Sequence, residues 1–169
     1  GDWFDSFVYD SDNEVRRAAI TLLANRNNPA FVSCMGNHDV HYLWPQRRLR
    51  CSGYEDRKDT IIFETLGDHI GEVRKSLRWY VWVDDHLVSH AGIHPSKIPP
   101  MIKLNKQEVD AWLQREVERN ELALNNGGED WFTGAGWARG GRLKHGGLLW
   151  QDFDLEFEPI DDLPQIVGH

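Results

Sequence analysis

Three short apolar runs in this chain close on a histidine, and that repeated pattern constrains the fold more than any bulk property. Phe31-Val32-Ser33-Cys34-Met35 leads into Gly36-Asn37-His38-Asp39, His86-Leu87-Val88-Ser89 into His90-Ala91-Gly92, and Gln165-Ile166-Val167 into Gly168-His169. Short runs rich in β-branched and aromatic residues predict buried strands. Glycine and asparagine at their ends break the ladder and turn the chain. Open α/β sheets hold ligands beyond the carboxyl ends of their strands. Histidine and carboxylate gathered at such ends therefore predict chemistry there.

Helical patterns separate the runs. Ser11-Asp12-Asn13-Glu14 fits a capping box, and Val15, Ala18, Ala19, Leu22 and Leu23 follow as an apolar stripe that ends near Asn27-Asn28-Pro29. Loop, helix and the Phe31 run read as a crossover whose first strand would lie ahead of Gly1, so the chain is expected to be truncated. Thr60 to Val73 reads as a helix interrupted at Gly67, and Leu77–Val83 with His86–Ser89 as a hairpin turning at Asp84-Asp85. Pro95, Pro99 and Pro100 mark a loop, and Asn105 to about Asn120 a capped helix with Val109, Trp112, Leu113 and Val117 on one face. Asn125 to Gly147 is glycine-rich yet carries Trp131, Phe132 and Trp137, which predicts a long ordered loop with those rings buried. Leu148-Leu149-Trp150 is a further strand candidate.

The 169 residues are 40% hydrophobic, which predicts one domain with a core. A net charge of -8 argues against general affinity for nucleic acid or an anionic membrane. Cys34 and Cys51 read as reduced thiols, and without a transmembrane-length run or signal peptide the expected location is cytoplasmic.

Aspartate, asparagine and histidine repeated at strand ends suit hard or borderline divalent metals, and two such ions suit in-line hydrolysis of a phosphate ester. In order, Gly1-Asp2-Trp3-Phe4-Asp5, Gly36-Asn37-His38-Asp39, His90-Ala91-Gly92 and Gly168-His169 resemble four of the five motifs of the calcineurin-like metallophosphoesterases. His90-Ala91-Gly92-Ile93 with Leu149-Trp150-Gln151-Asp152 is similar to the branch holding serine/threonine phosphatases and diadenosine tetraphosphatases. The resemblance implies a two-sheet αββα sandwich, incomplete here without its first strand, and a hydrolase acting on phosphate monoesters by metal-bound hydroxide. It implies two divalent ions (Mn, Fe or Zn), with Asp2 bridging them and Asn37, His90 and His169 as ligands of the second. It also implies His38 as the acid for the leaving oxygen and Asp5 as the carboxylate that orients it. Arg139 or Arg142, chosen by their place in the glycine loop, could grip phosphate oxygens as a fork. Partners are then a phosphorylated small molecule, a nucleotide or a phosphoprotein.

Two departures qualify the resemblance. The family's opening Asp-x-His motif is absent, and Asp39-Val40-His41 and Asp84-Asp85-His86 share its spacing at the wrong places, so the metal site is expected to be half-built and this fragment alone weakly active or inactive. Ser6-Phe7 stands where the phosphatase branch has Arg-Gly, and Asp39 where it has Glu. The alternatives are a dinucleoside polyphosphate hydrolase and a non-catalytic binding module of the same fold.

Overall fold

The computed structural model describes residues 1–5, 11–44 and 49–169, so Ser6 and Phe7 lie outside the described residues. The chain is mixed α/β with a small three-stranded sheet. Its contacts gather into two compact units, Gly1–Arg78 and Trp79–His169.

In the first unit, α1 spans Asp12–Asn25. Glu14 Oε2 accepts from the Ser11 backbone N–H at 3.0 Å and from its hydroxyl at 2.8 Å, so the capping box forms as the spacing predicts. Val15, Ala19 and Leu22 make the buried face. The Phe31–Met35 segment departs from expectation. It is extended chain, bridged in parallel to Arg78 at Cys34, with Met35 N donating to Arg78 O at 2.7 Å and Arg78 N to Ser33 O at 2.9 Å. Val32 is 59% exposed. An apolar run becomes a buried strand only where neighbours cover both its faces, and this one lacks that cover.

The Gly36 motif also takes another form. Asn37–Leu43 is a helix, α2, with Gly36 at its N-cap, so His38 occupies a first helical turn rather than a strand end. Asp39, three residues after the cap, reaches back to accept from Gly36 N at 2.8 Å. A side chain on Gly36 would overlap the Asp2 carboxylate, so close approach of two backbone segments requires glycine there. Helix α3 (Asp56–Leu66) packs on α1 and buries Ile61, Ile62 and Leu66. The chain breaks at Gly67 as predicted and resumes as α4 (Ile70–Ser76).

In the second unit, β1 (Tyr80–Val83) and β2 (His86–Ser89) form the predicted hairpin, with Asp84 at φ 53° in its turn. Strand β3 (Gln165–Val167) pairs with β2 in parallel, Leu87 opposite Gln165 and Ser89 opposite Val167. Parallel pairing in this register brings two carboxyl ends side by side. Gly168 N then donates to His90 O at 2.9 Å, extending the pairing past both strands. Gln165 adds a side-chain clamp, its Nε2 donating to Ile93 O at 3.0 Å and its Oε1 accepting from Ile93 N at 2.7 Å.

Helix α5 runs from Lys106 to Asn125, longer than the pattern indicates, and is capped by Asn105 Oδ1, which accepts from Glu108 N at 3.0 Å. Its acidic side chains hold tryptophans by their indole N–H groups: Asp110 takes Trp82 at 2.9 Å, Glu116 takes Trp131 at 2.6 Å and Glu121 takes Trp79 at 2.9 Å. This satisfies the polar edge of each ring while its apolar body packs. The glycine segment is a loop with short 3-10 turns at Trp131–Thr133 and Trp137–Arg139. Phe132 is fully buried, but Trp137 is 66% exposed against expectation. Leu148-Leu149-Trp150 is a turn rather than a strand, closed by Trp150 N donating to Gly147 O at 2.9 Å.

Candidate functional site

The first unit builds a dense polar centre around one carboxylate. Asp5 is buried, and its Oδ2 lies 2.8 Å from His38 Nδ1 and 3.0 Å from His41 Nε2. The His41 contact is close enough for ion pairing but poorly aligned for a hydrogen bond. Its other oxygen, Oδ1, accepts from Lys58 Nζ at 2.8 Å and from the Tyr42 hydroxyl at 3.1 Å. Lys58, Tyr42, His38 and His41 are all buried with it. Burial alone raises the Asp5 carboxyl, but the contacts from His38, His41 and Lys58 overturn that and hold it well below the usual carboxylate range. For His38, burial opposes protonation, and the bond to Asp5 with the nearby Cys51 sulfur prevails, pushing it up to about 10. An imidazolium held this way at neutral pH carries a proton it can give to a leaving oxygen.

Asp2 sits beside this centre in a left-handed backbone conformation, φ 61°, uncommon for a residue with a side chain. Its Oδ1 accepts from His38 N at 3.1 Å, which ties it to the first turn of α2 that also carries Asn37. Asp39 holds that arrangement by accepting from Asp2 N at 3.0 Å and Trp3 N at 2.6 Å. Burial and the charge of Asp2 push the Asp39 carboxyl up to about 6 against the pull of those donors.

In the second unit, β2 and β3 deliver His90 and His169 to one place, ring centroids 4.8 Å apart. His169 Nδ1 lies 3.0 Å from Gln151 O. A carbonyl only accepts, so Nδ1 carries a proton, and in the neutral ring the lone pair is then on Nε2, as in imidazoles oriented to bind metal. Gly92 lies two residues beyond His90 at φ 87°, where a Cβ would meet Phe157 Cε2 and Val167 Cγ1 at 2.9 Å.

The structure thus brings Asp2, Asp5, Asn37 and His38 into one cluster of the first unit and pairs His90 with His169 in the second. Arg139 Nε is engaged with Asp152 Oδ2 at 2.6 Å, and Arg142 is exposed. Sequence reasoning passed over His41, Cys51, Lys58 and Tyr42. His41 lies three residues after His38, the spacing that puts two side chains on one helix face, but that signal is readable only once the motif is known to be helical. Cys51 and Lys58 carry no local signal, because tertiary folding alone brings them to Asp5.

Among the described residues, His38, His41 and Cys51 bring donor atoms within 4.8 Å of one another, a group able to hold a metal ion. Among the described residues neither Cys34 nor Cys51 is in a disulfide. Among the same residues, no helix is long and apolar enough to cross a membrane. No protein-family model, no curated protein and no solved structure matches the chain.

Proposed function

We propose that this chain carries out metal-dependent hydrolysis of phosphate esters, as a phosphomonoesterase of the calcineurin-like metallophosphoesterase type. The observation that carries the reading is the buried pairing of His38 Nδ1 with Asp5 Oδ2 at 2.8 Å. A carboxylate on Nδ1 orients the ring and keeps its proton available for a departing alkoxide. On this reading the three-stranded sheet belongs to a two-sheet sandwich, and the metal ligands are those the resemblance implies, Asp2, Asn37, His90 and His169. That donor set of carboxylate, amide oxygen and two imidazoles fits Mn²⁺, Fe or Zn²⁺. His169, with its proton committed to Gln151 O, offers the correct nitrogen. When bound, two such ions supply the Lewis acidity that activates water and offsets the charge of the phosphoryl oxygens. The chain's own part is to position the ester, to hold His38 protonated through Asp5, and to deliver that proton to the leaving oxygen.

The test is hydrolysis of p-nitrophenyl phosphate, its bis ester and a dinucleoside polyphosphate with added Mn²⁺. Weak metal-dependent monoester turnover is expected, falling about 10²–10⁴-fold in His38→Ala. Preference for the dinucleoside polyphosphate would move the substrate class. No turnover of any of the three, in protein that retains its fold by circular dichroism, would refute the reading and favour a binding module.

A further inference from the structure

The Asp5 centre contains a second donor set, which shares His38 with the proposed phosphoesterase chemistry and adds His41 and Cys51. Cys51 Sγ lies 3.0 Å from His41 Nδ1 and 3.8 Å from His38 Nδ1. His38 and His41 stand three residues apart on α2, so their rings project from one face, centroids 5.6 Å apart. In tetrahedral zinc coordination, Zn–S and Zn–N bond lengths place sulfur and nitrogen donors about 3.6 Å apart. The two observed separations straddle that value, about 0.6 Å below and about 0.2 Å above it, and all three donor atoms lie within 4.8 Å of one another. The far nitrogen of His41, Nε2, faces Asp5 Oδ2 at 3.0 Å. A carboxylate beside the far nitrogen of an imidazole, once aligned to accept its N–H, orients a histidine ligand of zinc.

We propose that His38, His41 and Cys51 form a binding site for a single Zn²⁺, with Asp5 behind His41 as its outer-shell carboxylate and the fourth position open to water or an exchangeable ligand. One thiolate and two imidazoles are borderline-soft donors that select zinc over magnesium or manganese, which prefer oxygen. The site lies wholly within the first unit and differs in position and chemistry from the set Asp2, Asn37, His90 and His169. It uses His38 Nδ1, the atom that otherwise bonds Asp5. Zinc there therefore separates His38 from Asp5. If the phosphoesterase reading holds, and this consequence alone rests on it, zinc at this site inhibits turnover by withdrawing the proton donor.

The experiment is titration of the reduced 169-residue chain with Co²⁺, followed by competition with Zn²⁺. A thiolate-to-cobalt charge-transfer band in the near ultraviolet, with intense visible bands of tetrahedral cobalt, is expected at one equivalent and should vanish as Zn²⁺ is added. The proposed phosphoesterase ligands contain no sulfur and cannot produce that band, so the two readings fail separately. Cys51→Ser should abolish the charge-transfer band, whereas Cys34→Ser should keep it. Should Cys51→Ser fold poorly, alkylation of the unaltered protein gives the same answer: Zn²⁺ should protect Cys51 while leaving the rate at Cys34 unchanged. Absence of a thiolate band, its survival in Cys51→Ser, or equal alkylation of Cys51 with and without Zn²⁺ would overturn the proposal.

Discussion

Substituting Asp5 by asparagine tests whether one buried carboxylate holds the first unit together. Asp5 and Lys58 are each only 3% exposed at their side chains, and their charges meet at 2.8 Å. Asparagine keeps the volume but removes the charge. Lys58 would then retain Gly53 O at 3.3 Å and Glu55 Oε1 at 3.3 Å, and Glu55, 43% exposed, is a solvated partner worth little. Removing one partner of a buried ion pair costs about 3–5 kcal/mol, because the remaining charge stays desolvated. For a chain of this size that corresponds to a fall in Tm of about 6–20 °C. The companion variant Lys58→Met, an apolar side chain of similar length, removes the opposite charge. The double variant should recover stability relative to Asp5→Asn, giving a coupling in a double-mutant cycle of roughly 1–3 kcal/mol. Urea denaturation followed by circular dichroism reads all four proteins. A loss below about 1 kcal/mol in Asp5→Asn, or strictly additive single effects, would refute the hub, since neither can arise if Lys58 depends on Asp5.

The same cluster sets a pH dependence. The His38 pKa is raised from 6.5 to about 10, so its contribution is fully present below pH 6.5 and lost as pH rises through about 10. The urea midpoint of the unaltered protein should fall across that window more steeply than that of His38→Gln, and equal slopes would contradict the assignment. Asn120, fully buried in α5, has no hydrogen-bond partner for either polar atom among the described residues. Asn120→Leu should therefore stabilise the second unit by about 1–3 kcal/mol, and a destabilised variant would show that the amide is satisfied. Glu156 accepts from Gly146 N at 2.7 Å, Ala138 N at 3.1 Å and Asp152 N at 3.3 Å, tying the glycine loop to the turn that follows it. Glu156→Gln should cost about 2–4 kcal/mol and speed amide exchange at Gly146 and Ala138, whereas unchanged exchange there would rule out that role.

Local chemistry was readable from the sequence wherever neighbouring residues decide the outcome. The Ser11–Glu14 box, the Asn105 cap, the break at Gly67 and the Asp84-Asp85 turn each depend on a few consecutive residues, and each forms as predicted. The apolar runs at Phe31 and Leu148 depart from the predicted strands for one reason. Composition reports that a segment is to be buried, but whether a ladder or a turn buries it depends on which distant segments lie alongside. Among the described residues Arg78 alone bridges Cys34, and Leu148 to Trp150 folds over Gly147 instead of pairing.

The sequence by itself determined that aspartate, asparagine and histidine stand within two residues of a glycine in each of the four motifs around Asp2, His38, His90 and His169. Only the tertiary structure decided what they face. It converted the Gly36 motif from a strand end into a helix start, because Asp39 caps that helix and holds Asp2 and Trp3 against it. That turn of helix aims His38 and His41 together at Asp5 and Cys51, and parallel pairing of β2 with β3 sets His90 beside His169. Residues 10 to 79 positions apart, from His41 and Cys51 to His90 and His169, can meet only through the packed fold, and no local pattern encodes that meeting.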